Sequence, residues 1–274
     1  MKPGLFDTVI KTLPLEGRIM PVLFIGHGSP MNGIEDNEFS RTWKKMASEI
    51  PVPKAVLVIS AHWSSRGTQI TAMDFPRTIH DFRVFPPELF AVNYPAPGSP
   101  LLAREVSHLV HSAQITEDHD WGLDHGAWTI IRHMYPQADI PVLQMSLDYT
   151  RPASYHYQLA AELYDLRRKG VLIIGSGNIV HNLRLLSWDM MEGGGYDWTL
   201  EINEKFKGLI LNNDYQSLIN YDRLGKEALL AIPTPEHYLP LLYVMGLKKQ
   251  ADDITIFNDK AIGGSLTMTS VKIG

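Results

Sequence analysis

Two apolar runs in this chain each finish on a histidine. The first reads Phe24-Ile25-Gly26-His27-Gly28-Ser29-Pro30, and the second reads Ile59-Ser60-Ala61-His62-Trp63. An imidazole offers a lone pair to a metal and exchanges a proton near neutral pH, so either chemistry is open to it. A third apolar run ends in Gly175-Ser176-Gly177-Asn178 and leads to Ile179-Val180-His181-Asn182. Two more histidines stand at expected helix starts, in Asp124-His125-Gly126-Ala127-Trp128 and in Thr234-Pro235-Glu236-His237-Tyr238. In the last of these, Thr234 reads as an N-cap, Pro235 as the first helical residue and His237 as part of the first turn. The positive end of a helix disfavours imidazolium, so His237 is expected to stay neutral.

The rest of the composition narrows the chemistry. With no cysteine and 11 histidines, thiolate metal sites and disulfides are excluded, and a metal would need His, Asp, Glu or water. A single histidine after a strand is more often a hydrogen-bonded structural group than a ligand. Five of them at glycine- or proline-punctuated ends of elements favour a shared site. His108, His111, His133 and His156 fall on expected helices, partly solvated, and His119 in a solvated loop. His80 lies in the polar loop Thr78-Ile79-His80-Asp81-Phe82, which could border a pocket. Trp63, Trp121, Trp128 and Tyr238 are core or rim residues by default, and their nearness to the key histidines offers an aromatic-lined pocket as the alternative. There is no P-loop, no dinucleotide fingerprint, no His-Glu-x-x-His, and no Gly-x-Ser-x-Gly around Ser176.

These side chains need elements to carry them. Continuous apolar runs at residues 21–26, 55–61 and 171–175 read as strands buried on both faces, with 141–145 a fourth. Residues 69–73, 254–257 and 266–271 are weaker strands. Helices are expected from Ser154 to Lys169, from Ser99-Pro100 onward and over 199–212. Strands alternating with helices give an α/β fold, a largely parallel central sheet covered by helices. Ligands of such sheets bind beyond the carboxyl ends of the strands, where His27 and His62 would meet if their strands were neighbours.

The 274 residues read as one domain, residues 21–274, after an N-terminal extension of residues 1–20. Hydrophobic residues at 45% and charged residues at 20% suit a soluble globular protein. A net charge of -5 without a basic face argues against nucleic acid. No apolar run approaches the roughly 20 residues of a membrane span, and no signal peptide is visible, so a cytoplasmic location is expected.

The motifs around His27, His62, His125 and His237, in this order and spacing, resemble those of the class III extradiol ring-cleavage dioxygenases, the LigB-like family. The branch they resemble most is the 4,5-DOPA dioxygenase-like proteins, and the likeness runs from about residue 21 to the C-terminus. The resemblance implies a non-haem Fe(II) enzyme that opens a catechol such as L-DOPA with O2. By that analogy His27, His62 and His237 are metal ligands, and His125 and His181 are acid/base groups. Better-known members use a glutamate as third ligand. Glu236 is therefore kept in reserve beside His237, and His181 as a fourth ligand. Zinc is expected as the ion found in purified protein, since histidine sites bind it more tightly than Fe(II). An amino-acid substrate would need a partner for its carboxylate, for which Arg77, Arg83 and Arg184 are candidates. Two other readings stay open, a zinc hydrolase on the same histidines and a binding protein without chemistry.

Overall fold

The computed structural model describes residues 18–274. Residues 1–17, most of the expected extension, lie outside the described residues. Met20 is already buried, its backbone N–H bonded to the carbonyl of Arg167.

An eight-stranded sheet forms the centre of an α/β domain. Its strands are β1 (Val22–Gly26), β2 (Ala55–Ser65), β3 (Thr68–Thr71), β4 (Ile115–Asp118), β5 (Val142–Asp148), β6 (Val171–Gly177), β7 (Ile254–Phe257) and β10 (Ser270–Ile273). A separate two-stranded ribbon pairs β8 (Ala261–Ile262) with β9 (Leu266–Thr267). The large sheet runs β4-β3-β5-β2-β6-β1-β10-β7. The central four, β5-β2-β6-β1, are parallel, while β10 and β7 close one edge antiparallel. Alternation along the parallel strands divides the core. Val22, Phe24, Leu57 and Ile173 face one layer of helices, and Leu23, Ile25, Val58 and Ile174 face the other.

The first layer includes α2 (Pro100–Leu109), α4 (Ala153–Glu162), α5 (Asp197–Leu211) and α6 (Leu239–Gly246). The second includes α1 (Glu38–Glu49) and α3 (His125–Met134). Ser99 caps α2 through the N–H of Leu102, as its position before Pro100 predicts.

Three local expectations change. The helix expected over 154–169 starts at Ala153 after the uncapped Pro152. It breaks at Leu163 into α4 and a short turn, Tyr164–Arg168. The run 266–271 is two strands, because the chain leaves the ribbon after Thr267 and joins the main sheet at Ser270. His237 precedes its helix instead of lying in the first turn: α6 begins at Leu239, and Thr234 bonds the Glu236 carboxylate instead of capping.

Candidate active site

The strands of His27 and His62 are not neighbours; β6 runs between them. Their imidazoles meet nonetheless, because β6 ends in Gly175-Ser176-Gly177 and presents almost no side chain between them. His27 Nε2 and His62 Nε2 are 3.0 Å apart. The same glycines admit the segment that brings His237. A Cβ on Gly177 would stand 2.1 Å from the carbonyl oxygen of His237, and one on Gly175 2.4 Å from that of Pro240. The close approach is held by a bond from the N–H of Asn178 to the His237 carbonyl. Gly28 turns the chain after His27 with φ +63°, a conformation glycine adopts without strain.

All five histidines singled out from the sequence converge here. One ring nitrogen from each of His27, His62 and His237 can be chosen so that all lie within 4.8 Å of one another. His125 sits beside His62 with ring centroids 3.8 Å apart, and His181 stacks on His237 at 3.5 Å and 7°. Glu236 stays outside this nitrogen group.

Hydrogen bonds fix which face is free on the rings of His27 and His125. Ser176 gives its one hydroxyl proton to the carbonyl of Gly126 at 2.6 Å. Its oxygen, 3.0 Å from His27 Nδ1, must therefore accept, and His27 keeps its proton on Nδ1 with a bare lone pair on Nε2. That is the form a metal binds. Asp81 accepts from His125 twice, from its backbone N–H at 2.9 Å and from Nδ1 at 2.9 Å. This leaves His125 Nε2 for proton exchange. The same Asp81 carboxylate lies 3.5 Å from His62 Nδ1, so His62 faces Asp81 with one nitrogen and His27 with the other. A carboxylate behind an imidazole whose far nitrogen faces a site is the arrangement that orients metal-binding histidines. His237 Nδ1 is buried without a hydrogen-bond partner. The Glu236 carboxylate stands 3.5 Å from it. Three imidazole nitrogens gathered within 4.8 Å suit a divalent cation, and the donor set fits one.

The electrostatics agree. Burial, then the neighbouring histidines, holds His27 and His237 well below the usual histidine range. Burial and then His125 lower His62 to about 3, and burial, against a weaker pull from Glu236, lowers His181 to about 4. His237 is thus neutral as expected, though burial keeps it so and not a helix end. Beneath the site, Asp124 caps α3 and accepts from Ser60 and Gln144. Burial, followed by the charge of Asp81, raises it to about 6. For Asp81 burial pulls upward, but the bond and charge of His125, with His62, outweigh it and leave the carboxyl below its ordinary value.

The histidines open into a cavity of about 790 Å3 whose walls are mainly apolar, among them Met31, Phe39, Phe85, Leu186 and Trp188. None of Trp63, Trp121, Trp128 and Tyr238 lines it. Trp63 stacks on Trp121, while Trp128 and Tyr238 are buried with their polar atoms bonded to the carbonyls of Ile79 and Leu218. Nor do Arg77, Arg83 or Arg184 line the cavity. His80 bonds the carbonyl of Val92 and only its neighbours Asp81 and Phe82 reach His125. His133 and His156 are buried, not solvated, each with a hydrogen-bond partner, Asn32 and Tyr243. Asp81 and Ser176 are the two site groups that sequence reading did not single out. Asp81 belongs to the polar loop 78–82, where nothing in the sequence marks it apart from its neighbours, and Ser176 lacks the Gly-x-Ser-x-Gly spacing that would set it apart.

A family described as the catalytic LigB subunit of aromatic ring-opening dioxygenase matches residues 21–257. The chain belongs to this LigB family. A 4,5-DOPA dioxygenase extradiol from Escherichia coli (strain K12) is 44% identical over 97% of this chain and 99% of its own. Another from Beta vulgaris is 35% identical over 94% and 97%. A crystal structure of an uncharacterized protein from Escherichia coli K12 superposes with a TM-score of 0.81 at 42% identity, covering 93% of this chain and all of that one. The LigB protein described here is accordingly a non-haem extradiol dioxygenase, an oxidoreductase acting on a small aromatic substrate with O2. LigB dioxygenases are metal-dependent, and the histidine cluster is where this chain could hold the ion. No helix among the described residues is long and apolar enough to cross a membrane.

Proposed function

We propose that this LigB protein opens the ring of L-DOPA or a closely related catechol between carbons 4 and 5, with Fe(II) held by His27, His62 and His237. The observation that carries the reading is the convergence of three ring nitrogens from separate elements at the floor of an apolar cavity. Bound there, the ion would supply Lewis acidity and a common point for the catechol oxygens and O2. The chain's own groups do the rest. His125 takes a catechol hydroxyl proton on Nε2, and Asp81 behind Nδ1 steadies the ring as it gains charge. His181, held neutral by burial, offers an N–H to the substrate oxygens as the ring opens. Apolar walls such as Phe39 and Leu186 seat the aromatic ring and exclude water.

The two readings besides this one differ in outcome. A zinc hydrolase would turn over without O2, and a binding protein would not turn over at all. Replacing His27, His62 or His237 singly with alanine should remove the bound metal, counted by elemental analysis after Fe(II) reconstitution under anaerobic conditions. His125→Ala and His181→Ala should keep it. Full metal content in His237→Ala would eliminate that residue as a ligand and return Glu236 to consideration. Zinc in protein as purified is expected on affinity grounds and does not identify the working metal.

A further inference from the structure

The cavity is larger than a bare catechol needs, and falls in the range of sites for whole drug-sized molecules. Its wall carries charges that ring opening does not use. Lys260 is the only lysine or arginine lining it among the described residues, and Glu38 lines it too, with Glu35 and Glu192. Lys260 Nζ donates to Glu38 Oε1 at 2.5 Å. The two come from distant parts of the chain: Glu38 opens α1 directly after the capping residue Asn37, and Lys260 immediately precedes the ribbon strand β8. Both are anchored. Asn37 and Ser40 hold the start of α1 in a reciprocal capping box, and the carbonyl of Lys260 accepts from the N–H of Met268. Phe39, next to Glu38, lines the cavity and lies under the Lys260 ammonium, 5.9 Å from ring centre to nitrogen.

We infer that the Lys260–Glu38 pair is the recognition site for a zwitterionic amino-acid group carried on the catechol, Lys260 taking its carboxylate and Glu38 its ammonium. The inference rests on the reading that the ring itself is opened at the histidines. The side chains are 35% and 56% exposed, so both can exchange partners with a ligand that enters. A ligand with both charges replaces the pair without leaving either member unmatched, which a singly charged ligand cannot do. A catechol bearing only a carboxylate meets three glutamates against one lysine and is disfavoured. One bearing only an amine satisfies Glu38 but leaves Lys260 without its partner.

The test compares Fe(II)-loaded wild type, Lys260→Met and Glu38→Gln on L-DOPA, dopamine, 3,4-dihydroxyphenylpropionate and 4-methylcatechol. A charge-assisted bond predicts that Lys260→Met lowers kcat/KM for L-DOPA by about 10- to 100-fold, mainly through KM, with 4-methylcatechol little changed and dopamine improved, since no lysine is left unmatched. Glu38→Gln should weaken L-DOPA and dopamine but spare the propionate and 4-methylcatechol. Lys260→Arg should keep the preference for L-DOPA, and retained turnover of 4-methylcatechol shows that each variant is folded. Equal losses on all four substrates in a folded variant, or no loss on L-DOPA, would overturn the inference while leaving ring opening intact. Wild type inactive on all four would instead overturn the reading on which it rests, and the inference with it.

Discussion

Asp81 decides how the imidazoles of His62 and His125 divide their work. Its Oδ2 lies 2.9 Å from His125 Nδ1 and 3.5 Å from His62 Nδ1, so one carboxylate orients the proposed proton carrier and stands behind a proposed ligand. Asp81 does not line the cavity, and although its carboxylate, His62 and His125 come within 4.8 Å of one another, its two bonds to His125 fit a positioning part. Asp81→Asn should therefore retain metal yet lose about 10- to 100-fold in kcat, with an altered pH–rate profile because the amide cannot stabilise a charged His125. Unchanged kcat and profile would remove Asp81 from the account. His125→Ala should cost more, about 10²- to 10⁴-fold in turnover, with the ion still bound. The five histidines were visible in the sequence because each ends or begins an element. Asp81 was not, since its partner His125 is 44 positions away and nothing in a loop aspartate announces such a bond.

At the scale of elements, the site depends on how little β6 presents at its carboxyl end. Gly177 is the tightest point, because any Cβ there would press on the backbone of His237 and not on a side chain that could swing away. Gly177→Ala should cost about 1–3 kcal/mol of stability, read from the urea midpoint, and should loosen metal binding by displacing His237. Gly208→Ala is the contrasting case: it lies within α5 with nothing within 4 Å of the added carbon and should gain about 0.5–1 kcal/mol. Equal effects of opposite expectation, both neutral, would show that the β6 end tolerates crowding. The central strands β1, β2, β5 and β6 were legible because burial on both faces leaves an unbroken apolar run. The edge strand β4 was not, because of its four residues only Ile115 is buried and no alternation survives. The helix α1 also escaped notice, although Asn37 and Ser40 spell its capping box. The order β2-β6-β1, which places β6 between the two histidine strands, follows from packing over long sequence separations that no local pattern records.

For the molecule as a whole, gathering neutral histidines in one interior sets its response to acid. His27, His62, His181 and His237, with His156 elsewhere in the core, have folded pKa values below the 6.5 of a free histidine. Their stabilising contribution is complete above pH 6.5. It is lost as pH falls from there through the folded values, about 4 for His181 and His156 and about 3 for His62, because the unfolded chain takes up protons the native state refuses. Asp124 works in the other direction, gaining its proton near pH 6 in the folded state, but the histidines shifted down, His133 among them, outnumber it. Each histidine protonated only on unfolding steepens the loss by about 1.4 kcal/mol per pH unit. The urea midpoint of the metal-free protein should therefore fall between pH 7 and pH 5, and a midpoint that rises would contradict the buried neutral cluster. The central claim, that these histidines serve oxygen-dependent ring opening, is tested most directly by O2 uptake. Metal-free protein would be loaded with Fe(II) without air, given L-DOPA and then oxygenated, with the ring-opened product followed by its visible absorbance. One O2 consumed per product formed is the expected result. No uptake with L-DOPA or any simpler catechol, despite stoichiometric iron at the histidines, would contradict it.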